Sequence, residues 1–339
     1  MNSEVIKFVA GGGKTTYSEE YLKANENGLY LAFTNSVVTD ISNKGYLGKT
    51  IDSLFSSFII PKFTSIIPMI APGSKVKFID VKKLPSHLRG IANIHIDENG
   101  NIYNKSKKII VDINTPNNKL HKTGYFPNGA LIKYIFGKNE LRLTDELRAE
   151  LSAYLLKNYK DKIIELISCR FSYIIIDEAQ DLNRYREAFA MILYDSSMKL
   201  ILLGDDNQNI NGGGDWFESL EANETKNISH RCPENNCKWI RERLEIDIYG
   251  NADDSEFKTI DYMEVNKYDD GKRVLLYPSK VGRNKEIVEN WKGPKNTIRT
   301  AKGSTIEEDV VIIGNKLNNK NLYTAITRTK KNVYSTVGK

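Results

Sequence analysis

Short apolar runs alternate with amphipathic stretches along this chain. Residues 5–9 and 29–33 read as strands, as do Tyr173–Ile176 and residues 199–203, because each is a short apolar run bounded by turn-forming or polar residues. Thr144 is placed to cap a long helix running to about Ile167, with Leu147, Leu151, Leu155 and Ile163 at helical spacing. A second set begins near Ile228 and includes the runs Val274–Tyr277 and 310–313 and a helix-like stretch at 323–330. Strands alternating with helices build a parallel sheet covered by helices, so the pattern predicts an α/β fold. No internal repeat or low-complexity tract interrupts it.

One segment breaks the pattern. Residues 61–140 hold six of the nine prolines, with 13 Lys/Arg against 5 Asp/Glu, a balance of +8; the chain as a whole carries +6, so the remainder is near −2. The segment reads as an inserted, basic, mostly β or irregular unit. It contains alternating residues from Ile94 to Tyr103 around Asn99-Gly100, the signature of a hairpin. Lys75, Lys77, Lys82, Lys83, Arg89, Lys105, Lys107 and Lys108 lie in it; they suit either a solvated basic face or contacts to phosphates.

Composition narrows the class. A chain of 339 residues usually makes two or three domains. Its 40% hydrophobic and 27% charged content is ordinary for a globular protein. No apolar run approaches the roughly 18 residues of a membrane span, and residues 1–13 lack the layout of a secretory signal. Three cysteines favour a reducing, cytoplasmic setting. His230, Cys232 and Cys237 are spaced H-x-C-x₄-C, but no further pair completes four ligands, so a zinc site is rejected.

The chemistry lies at the ends of the predicted strands. After residues 5–9 comes Gly11-Gly12-Gly13-Lys14-Thr15-Thr16; glycines there let amides approach a phosphate, which the head of a following helix also favours. After Tyr173–Ile176 comes Asp177-Glu178-Ala179-Gln180-Asp181-Leu182. Paired acids at the end of a buried strand suit a divalent cation and a water-polarising carboxylate. After the next strand comes Gly204-Asp205-Asp206-Asn207-Gln208. Further blocks follow in order around them: Thr34-Asn35, Thr50-Ile51-Asp52-Ser53, Ser229-His230-Arg231, Thr300-Ala301-Lys302-Gly303 and Leu322-Tyr323-Thr324-Ala325-Ile326-Thr327-Arg328.

In this order the blocks resemble those of superfamily 1 helicases of the UvrD/Rep kind, over most of the chain except the basic segment. The resemblance implies two RecA-like parallel-sheet lobes, of the P-loop NTPase type, with the insertion in the first. The boundaries are then 1–60 plus 141–222 for the first lobe, 61–140 for the insertion and 223–339 for the second lobe. It implies ATP and Mg²⁺, held by Gly11, Gly12, Gly13, Lys14, Thr15 and Thr16, with Thr15 and Asp177 on the metal. Glu178 would polarise the attacking water, Gln180 would couple the γ-phosphate to the rest of the motor, Gln208 would sense it, and Arg231 and Arg328 would reach it, Arg328 as the arginine finger. His230 stands where the family stacks a tyrosine on adenine. Thr34, Asn35, Thr50, Ser53, Thr300 and Lys302 would face nucleic acid. Trp216 would either stack on a base or sit in the core.

The chain departs from the family pattern in several places. Phe8 occupies the first glycine position of the G-x-x-x-x-G-K-[ST] pattern, and the loop is two residues short. Asp52 replaces a histidine, Thr305 replaces a glutamate, and a glycine fills the aromatic slot after Gln208. The start of the chain leaves no room for the upstream glutamine block that reads adenine, so a relaxed nucleotide choice is expected. Only 66 residues separate Arg231 from Ile298, too few for the large second-lobe insertion of UvrD and Rep. The expectation is a compact helicase moving on single-stranded DNA, 3′ to 5′ by inheritance, unwinding duplex junctions, with the hairpin as one candidate wedge. RNA is the other candidate track, and a nuclease or replication protein a candidate partner. The alternatives are an ATP-binding regulator on nucleic acid and a motor subunit that works only with a partner. The composition suits a phage, virus or mobile element.

Overall fold

The computed structural model describes residues 3–122, 129–251, 255–314 and 317–337. Two sheets dominate. The larger has six strands in the spatial order Glu224–Lys226, Ser3–Phe8, Lys199–Gly204, Tyr173–Ile176, Gly28–Ala32 and Gly48–Thr50. The second has five, in the order Phe257–Thr259, Val333–Ser335, Val310–Ile312, Val274–Tyr277 and Lys295–Thr297, all paired in parallel. Two parallel sheets of this kind, with helices between strands, make the chain an α/β protein, the class expected of two RecA-like lobes.

Burial explains why these segments are strands. Ile174, Ile175 and Ile176 are fully buried, as are Leu200 to Leu203, so both faces of these strands are covered. In the five-stranded sheet the alternation is visible residue by residue. Val274, Leu276, Val310 and Ile312 enter one core with Ile240, Leu322 and Ile326. Leu275 and Val311 point the other way, into a core with Ile287, Val288 and Trp291.

Most predicted elements fall within a residue or two of the observed ones. The strands expected at 5–9, 29–33 and 199–203 are Ser3–Phe8, Gly28–Ala32 and Lys199–Gly204. The long helix is Asp145–Ser168, with the Thr144 hydroxyl accepting from the Leu147 amide at 3.1 Å. The helix expected at 323–330 lies four residues earlier, at Asn319–Ile326, because the Asn318 side chain caps it at the Asn321 amide, 2.8 Å away. Arg328 therefore sits beyond the helix, on a turn that carries it inward.

The chain divides by its contacts into two compact units. One gathers residues 27–174 and 183–200 with Ser3; the other gathers 4–26, 175–182 and 201–339. This division groups the glycine loop, the Asp177–Leu182 turn and the second sheet together, unlike the boundaries read from sequence.

The first unit contains the basic segment. Its strands Ile94–Ile96, Asn101–Asn104 and Ile109–Asp112 form an antiparallel sheet, joined to short 3₁₀ turns at Val81–Lys83 and Ser86–Asn93. The expected hairpin is present: His95 pairs with Tyr103, and the Asp97 carboxylate accepts from the Asn99 and Asn101 amides at 2.9 and 2.8 Å. It is docked on the long helix. Glu150 accepts from the Ile96 amide and contacts His95 Nδ1, each at 2.8 Å, and Lys157 pairs with Glu98 at 2.8 Å. The candidate wedge is thus braced along one side.

Asp52 anchors another part of this unit. Its carboxylate accepts from Arg148 Nη2 at 2.8 Å, from Arg186 Nε and Nη2 at 2.8 and 2.9 Å, and from the Tyr185 hydroxyl. Burial raises the Asp52 pKa, but the bonds from Arg186 and Tyr185 and the charges of Arg186 and Arg148 outweigh it and hold it below the usual range. A lowered carboxylate pKa stabilises the fold above the unfolded value of about 3.9 and loses that contribution as pH falls through the folded value. Asp52→Ala leaves four donor groups on three side chains short of their acceptor. With the carboxylate partly solvated, the expected loss at neutral pH is ~1–3 kcal/mol. Thermal melts of wild type and variant should differ at pH 7 and draw together only as pH falls below the usual carboxylate range, through the lowered folded value.

Candidate nucleotide site

The second unit brings the glycine loop, the paired acids and both arginines around one cavity of about 430 Å³. Its lining includes Gly11–Thr16, Glu178, Gln208, His230, Arg231, Thr305, Arg328 and Lys330. The chemistry sits where the sheet order leads one to look. The strands Ser3–Phe8, Lys199–Gly204 and Tyr173–Ile176 are neighbours, and ligands of such sheets bind beyond the carboxyl ends of the strands.

The glycine loop is shaped by its neighbours. Gly13 is left-handed, with φ 88° and ψ 22°, and turns the chain into helix Lys14–Ala24. Gly11, at φ 73°, lies against the strand Ile228–Pro233: its carbonyl accepts from the His230 amide at 2.9 Å, and the Ser229 hydroxyl donates to the Ala10 carbonyl at 2.7 Å. A Cβ at Gly11 would stand 2.8 Å from Arg231 Cβ and 2.9 Å from Ser229 Oγ. Gly11→Ala must therefore push loop and strand apart, and it carries backbone strain as well. Nucleotide affinity should fall at least ~10-fold by equilibrium binding, an effect near 1.4 kcal/mol. Phe8 stays in the strand, buried, with its ring edge-on to Tyr17.

Asp177 is buried at its strand end, and its Oδ1 accepts from the Glu178 amide at 2.8 Å. Glu178 is left-handed, at φ 53° and ψ 41°, an arrangement that costs a non-glycine residue about 1–3 kcal/mol and persists only where surroundings enforce it. The following 3₁₀ turn Ala179–Asp181 enforces it, with the Asp181 amide bonded to the Glu178 carbonyl at 2.8 Å. The turn aims the Glu178 carboxylate at Lys14 Nζ, 3.4 Å away, and the Gln180 amide donates to its other oxygen. Burial pushes the Glu178 pKa up; Lys14, Lys302, Gln180 and Arg328 more than reverse it, down to about 2. For Lys14, burial pushes the ammonium pKa down, and Glu178, Asp177 and Asp205 together raise it. The pair is therefore fully charged at neutral pH.

A buried polar network joins the remaining groups. Asp205, Gln208, Tyr323 and Arg328 are all nearly inaccessible. Gln208 Nε2 donates to Asp205 Oδ2 at 2.6 Å, and Gln208 Oε1 accepts from Arg328 Nη2 at 2.9 Å. Gln180 Oε1 accepts from the Asp205 amide at 2.9 Å. Arg328 is held further by the Thr324 carbonyl at 3.0 Å, and burial first, then Arg231, pushes its pKa down to about 9. Arg231 is less engaged. Its Nη1 lies 3.4 Å from Thr305 Oγ1, and its Nε is buried with no hydrogen-bond partner among the described residues. His230 is exposed at the cavity, near Gly13. Thr15 and Thr16 are exposed and line the same space.

The residues expected on nucleic acid are placed differently from one another. Thr34 and Asn35 are exposed at the start of helix Asn35–Asn43. Thr50 caps the short helix Ile51–Leu54 by accepting from the Ser53 amide at 3.0 Å, and Thr50 and Ser53 are half-buried. Thr300 is exposed, its hydroxyl turned back to Thr297. Trp216 is half-buried at the start of helix Trp216–Ser219. Lys302 points inward: its ammonium pairs with Asp181 at 2.6 Å and donates to the Gln208 carbonyl. Cys232 and Cys237 are core residues of the second sheet. Sequence reasoning gave no role to Asp181, Tyr323 or Lys330. The first two lie inside quoted blocks, yet only the fold reveals what they touch; Lys330, paired with Glu307 at 2.8 Å, follows Arg328 by two residues.

This arrangement has the parts expected of a P-loop nucleotide site: a glycine turn at a helix start, a lysine, paired acids at a strand end and two arginines. Residues 102–212 match the family described as UvrD/REP helicase N-terminal domain, in line with the resemblance to superfamily 1 helicases read from the sequence. The match includes the paired acids and Gln208, and begins inside the basic segment. No curated protein matches the chain. Among solved structures, a PRRSV helicase is similar over 98% of this chain and 52% of its own, at 13% identity and TM-score 0.48. An arterivirus nonstructural protein 10 (helicase) is similar at 14% identity and TM-score 0.48, over 98% of this chain and 59% of its own. The same kind of protein solved in complex with DNA is similar at 14% identity and TM-score 0.47, over 98% and 60%. The chain thus spans a little over half the length of these structures. Among the described residues, no helix is long and apolar enough to cross a membrane.

Proposed function

We propose that the chain hydrolyses ATP and uses it to move along single-stranded DNA, opening duplex junctions. The observation that carries this reading is the cavity itself: Lys14, Arg231, Arg328 and Lys330 converge on it around one carboxylate, Glu178, and the buried Nε of Arg231 lacks an acceptor. A buried unsatisfied donor is costly, and a polyphosphate supplies what it needs. The glycine cradle, which a Cβ at Gly11 would fill, fits the same ligand. Thr15 and Asp177 would hold Mg²⁺, the usual hydroxyl-plus-carboxylate set that leaves further positions to phosphate and water. The ion, when bound, neutralises charge on the phosphates.

The residues divide the work. Lys14 binds phosphate, and on leaving Glu178 it removes the strongest influence that keeps that carboxylate acidic. Glu178 then becomes a better acceptor for a proton from water at the time it is needed. Arg231 and Arg328 stabilise charge on the transferred group, and Gln208, bonded to Arg328, reports its presence. Thr34, Asn35, Thr50, Ser53 and Thr300 are neutral donors suited to a phosphate backbone, and Trp216 is a stacking platform. Travel is proposed as 3′ to 5′.

A second reading is favoured by one observation. Lys302 and Arg328 are both tied into internal bonds, which suits a motor subunit that a nuclease or replication partner must release. Hydrolysis by the purified chain is to be measured with no polymer, single-stranded DNA and single-stranded RNA. Strong stimulation by DNA supports the proposal, and stimulation by RNA alone changes the track. No turnover despite strand binding overturns the autonomous motor and leaves the partner-dependent subunit or the regulator.

A further inference from the structure

We propose that Tyr323 is a positioning residue for nucleotide hydrolysis: its phenol ties the base of the glycine loop to Gln208 and, through Gln208, to Arg328. The inference rests on the hydrolysis reading above. Tyr323 lies on helix Asn319–Ile326, completely buried. Its hydroxyl accepts from the Ala10 amide at 2.8 Å and donates to Asp205 Oδ2 at 3.0 Å. Ala10 immediately precedes the glycines, so the phenol holds the point from which the loop departs.

The second bond matters more. Asp205 Oδ1 accepts from the Asn207 amide at 3.0 Å, and Oδ2 accepts from both Tyr323 and Gln208 Nε2. A carboxylate held on both oxygens has one orientation. It demands a donor from Gln208, which fixes that amide so its oxygen faces Arg328 Nη2. Arg328 Nε in turn bonds the carbonyl of Thr324, the residue after Tyr323, so the ring of contacts closes on the helix where it began. The Asp205 amide also holds Gln180, which bonds Glu178. One phenol therefore sits where the loop, the water-polarising acid and the arginine finger meet. Burial, then the Asp205 charge, hold the phenol pKa well above its usual value, so it keeps its proton and remains a donor.

Tyr323→Phe removes one oxygen and keeps the ring. The Ala10 amide loses its acceptor, but the Ala10 carbonyl keeps its bond to Ser229 and Gly11 its bond to His230, so these two ties still hold the loop. Asp205 loses one of its donors, and Gln208 and Arg328 lose their fixed aim. Misplacement of reacting groups by about an ångström is worth up to ~100-fold in rate. The expected result is a ~10- to 100-fold fall in kcat with KM for ATP changed less than ~3-fold.

The deciding measurement is a double-mutant cycle with Gln208→Ala, with melting temperatures as a control. If Tyr323 acts through Gln208, the double variant is no slower than the slower single variant. A purely structural phenol would instead lower the melting temperature and multiply the two losses. Multiplied losses, or a Tyr323→Phe enzyme as fast as wild type, overturn this inference and leave the hydrolysis reading standing. Absence of hydrolysis by the wild-type chain with every polymer overturns both.

Discussion

Glu178→Gln should abolish turnover while leaving nucleotide binding intact or tighter. The substitution keeps the shape of the side chain, and it keeps an acceptor for the Gln180 amide. What disappears is the negative charge 3.4 Å from Lys14 and the ability to take a proton from water. Losing a general base removes about 10²–10⁴-fold from the rate, and the upper part of that range is expected here. Among the described residues Glu178 is the one carboxylate that lines the cavity, and Asp177 and Asp205 are buried. Binding should respond in the opposite sense. In the free protein Lys14 is shared with Glu178, and a neutral glutamine leaves the ammonium wholly available to phosphate. Single-turnover hydrolysis and equilibrium binding of ATP, measured side by side, test both halves. A variant that retains a tenth of wild-type turnover would show that the water is polarised elsewhere.

The α/β fold with its parallel sheets was legible because its signals are local. Four consecutive buried residues at Tyr173–Ile176 can hardly be anything but a central strand, and Thr144 followed by helical spacing marks a helix whose cap is then observed. The Asn99-Gly100 turn is equally local, since Gly100 adopts φ 87° as such a turn requires. Residues at strand ends were legible for the same reason: the blocks at Gly11–Thr16, Asp177–Gln180 and Asp205–Gln208 each follow an apolar run. What escaped was long-range. Nothing near Tyr323 in sequence announces Ala10 and Asp205, 313 and 118 residues away. Lys302 shows the limit from the other side. Its block suggests a residue turned toward nucleic acid, whereas the fold gives its ammonium a buried carboxylate, Asp181, 121 residues distant. The helix shifted to Asn319–Ile326 has a smaller cause, since Asn318 is a better cap than the apolar periodicity could reveal.

Arg328→Ala should produce the other large effect, and in a form that separates activity from stability. An arginine finger is worth about 10³–10⁵-fold in turnover, because it stabilises charge that develops only on the transferred phosphoryl group. Nucleotide binding should weaken far less. Stability should behave unusually for so buried a residue. Arg328 keeps 1% of its surface exposed, and its hydrogen bonds go to neutral groups: the Thr324 carbonyl, Gln208 Oε1 and the Thr327 hydroxyl. Burial and the nearby charge of Arg231 both act against its own charge, which is why its pKa falls to about 9. A buried cation under such pressure contributes little to folding and is held in place for another purpose. Removing it relieves that pressure and loses packing and three bonds to neutral groups, of which the one to Gln208 reaches beyond its own turn. Arg328→Met, which keeps an unbranched apolar stem, should therefore melt no lower than wild type while hydrolysing ATP at least a thousandfold more slowly. Thermal melts and steady-state kinetics on the same preparations decide the matter. A variant that melts well below wild type, with turnover falling only in proportion to its unfolded fraction, would make Arg328 a structural residue and leave Arg231 as the arginine that acts on the phosphate.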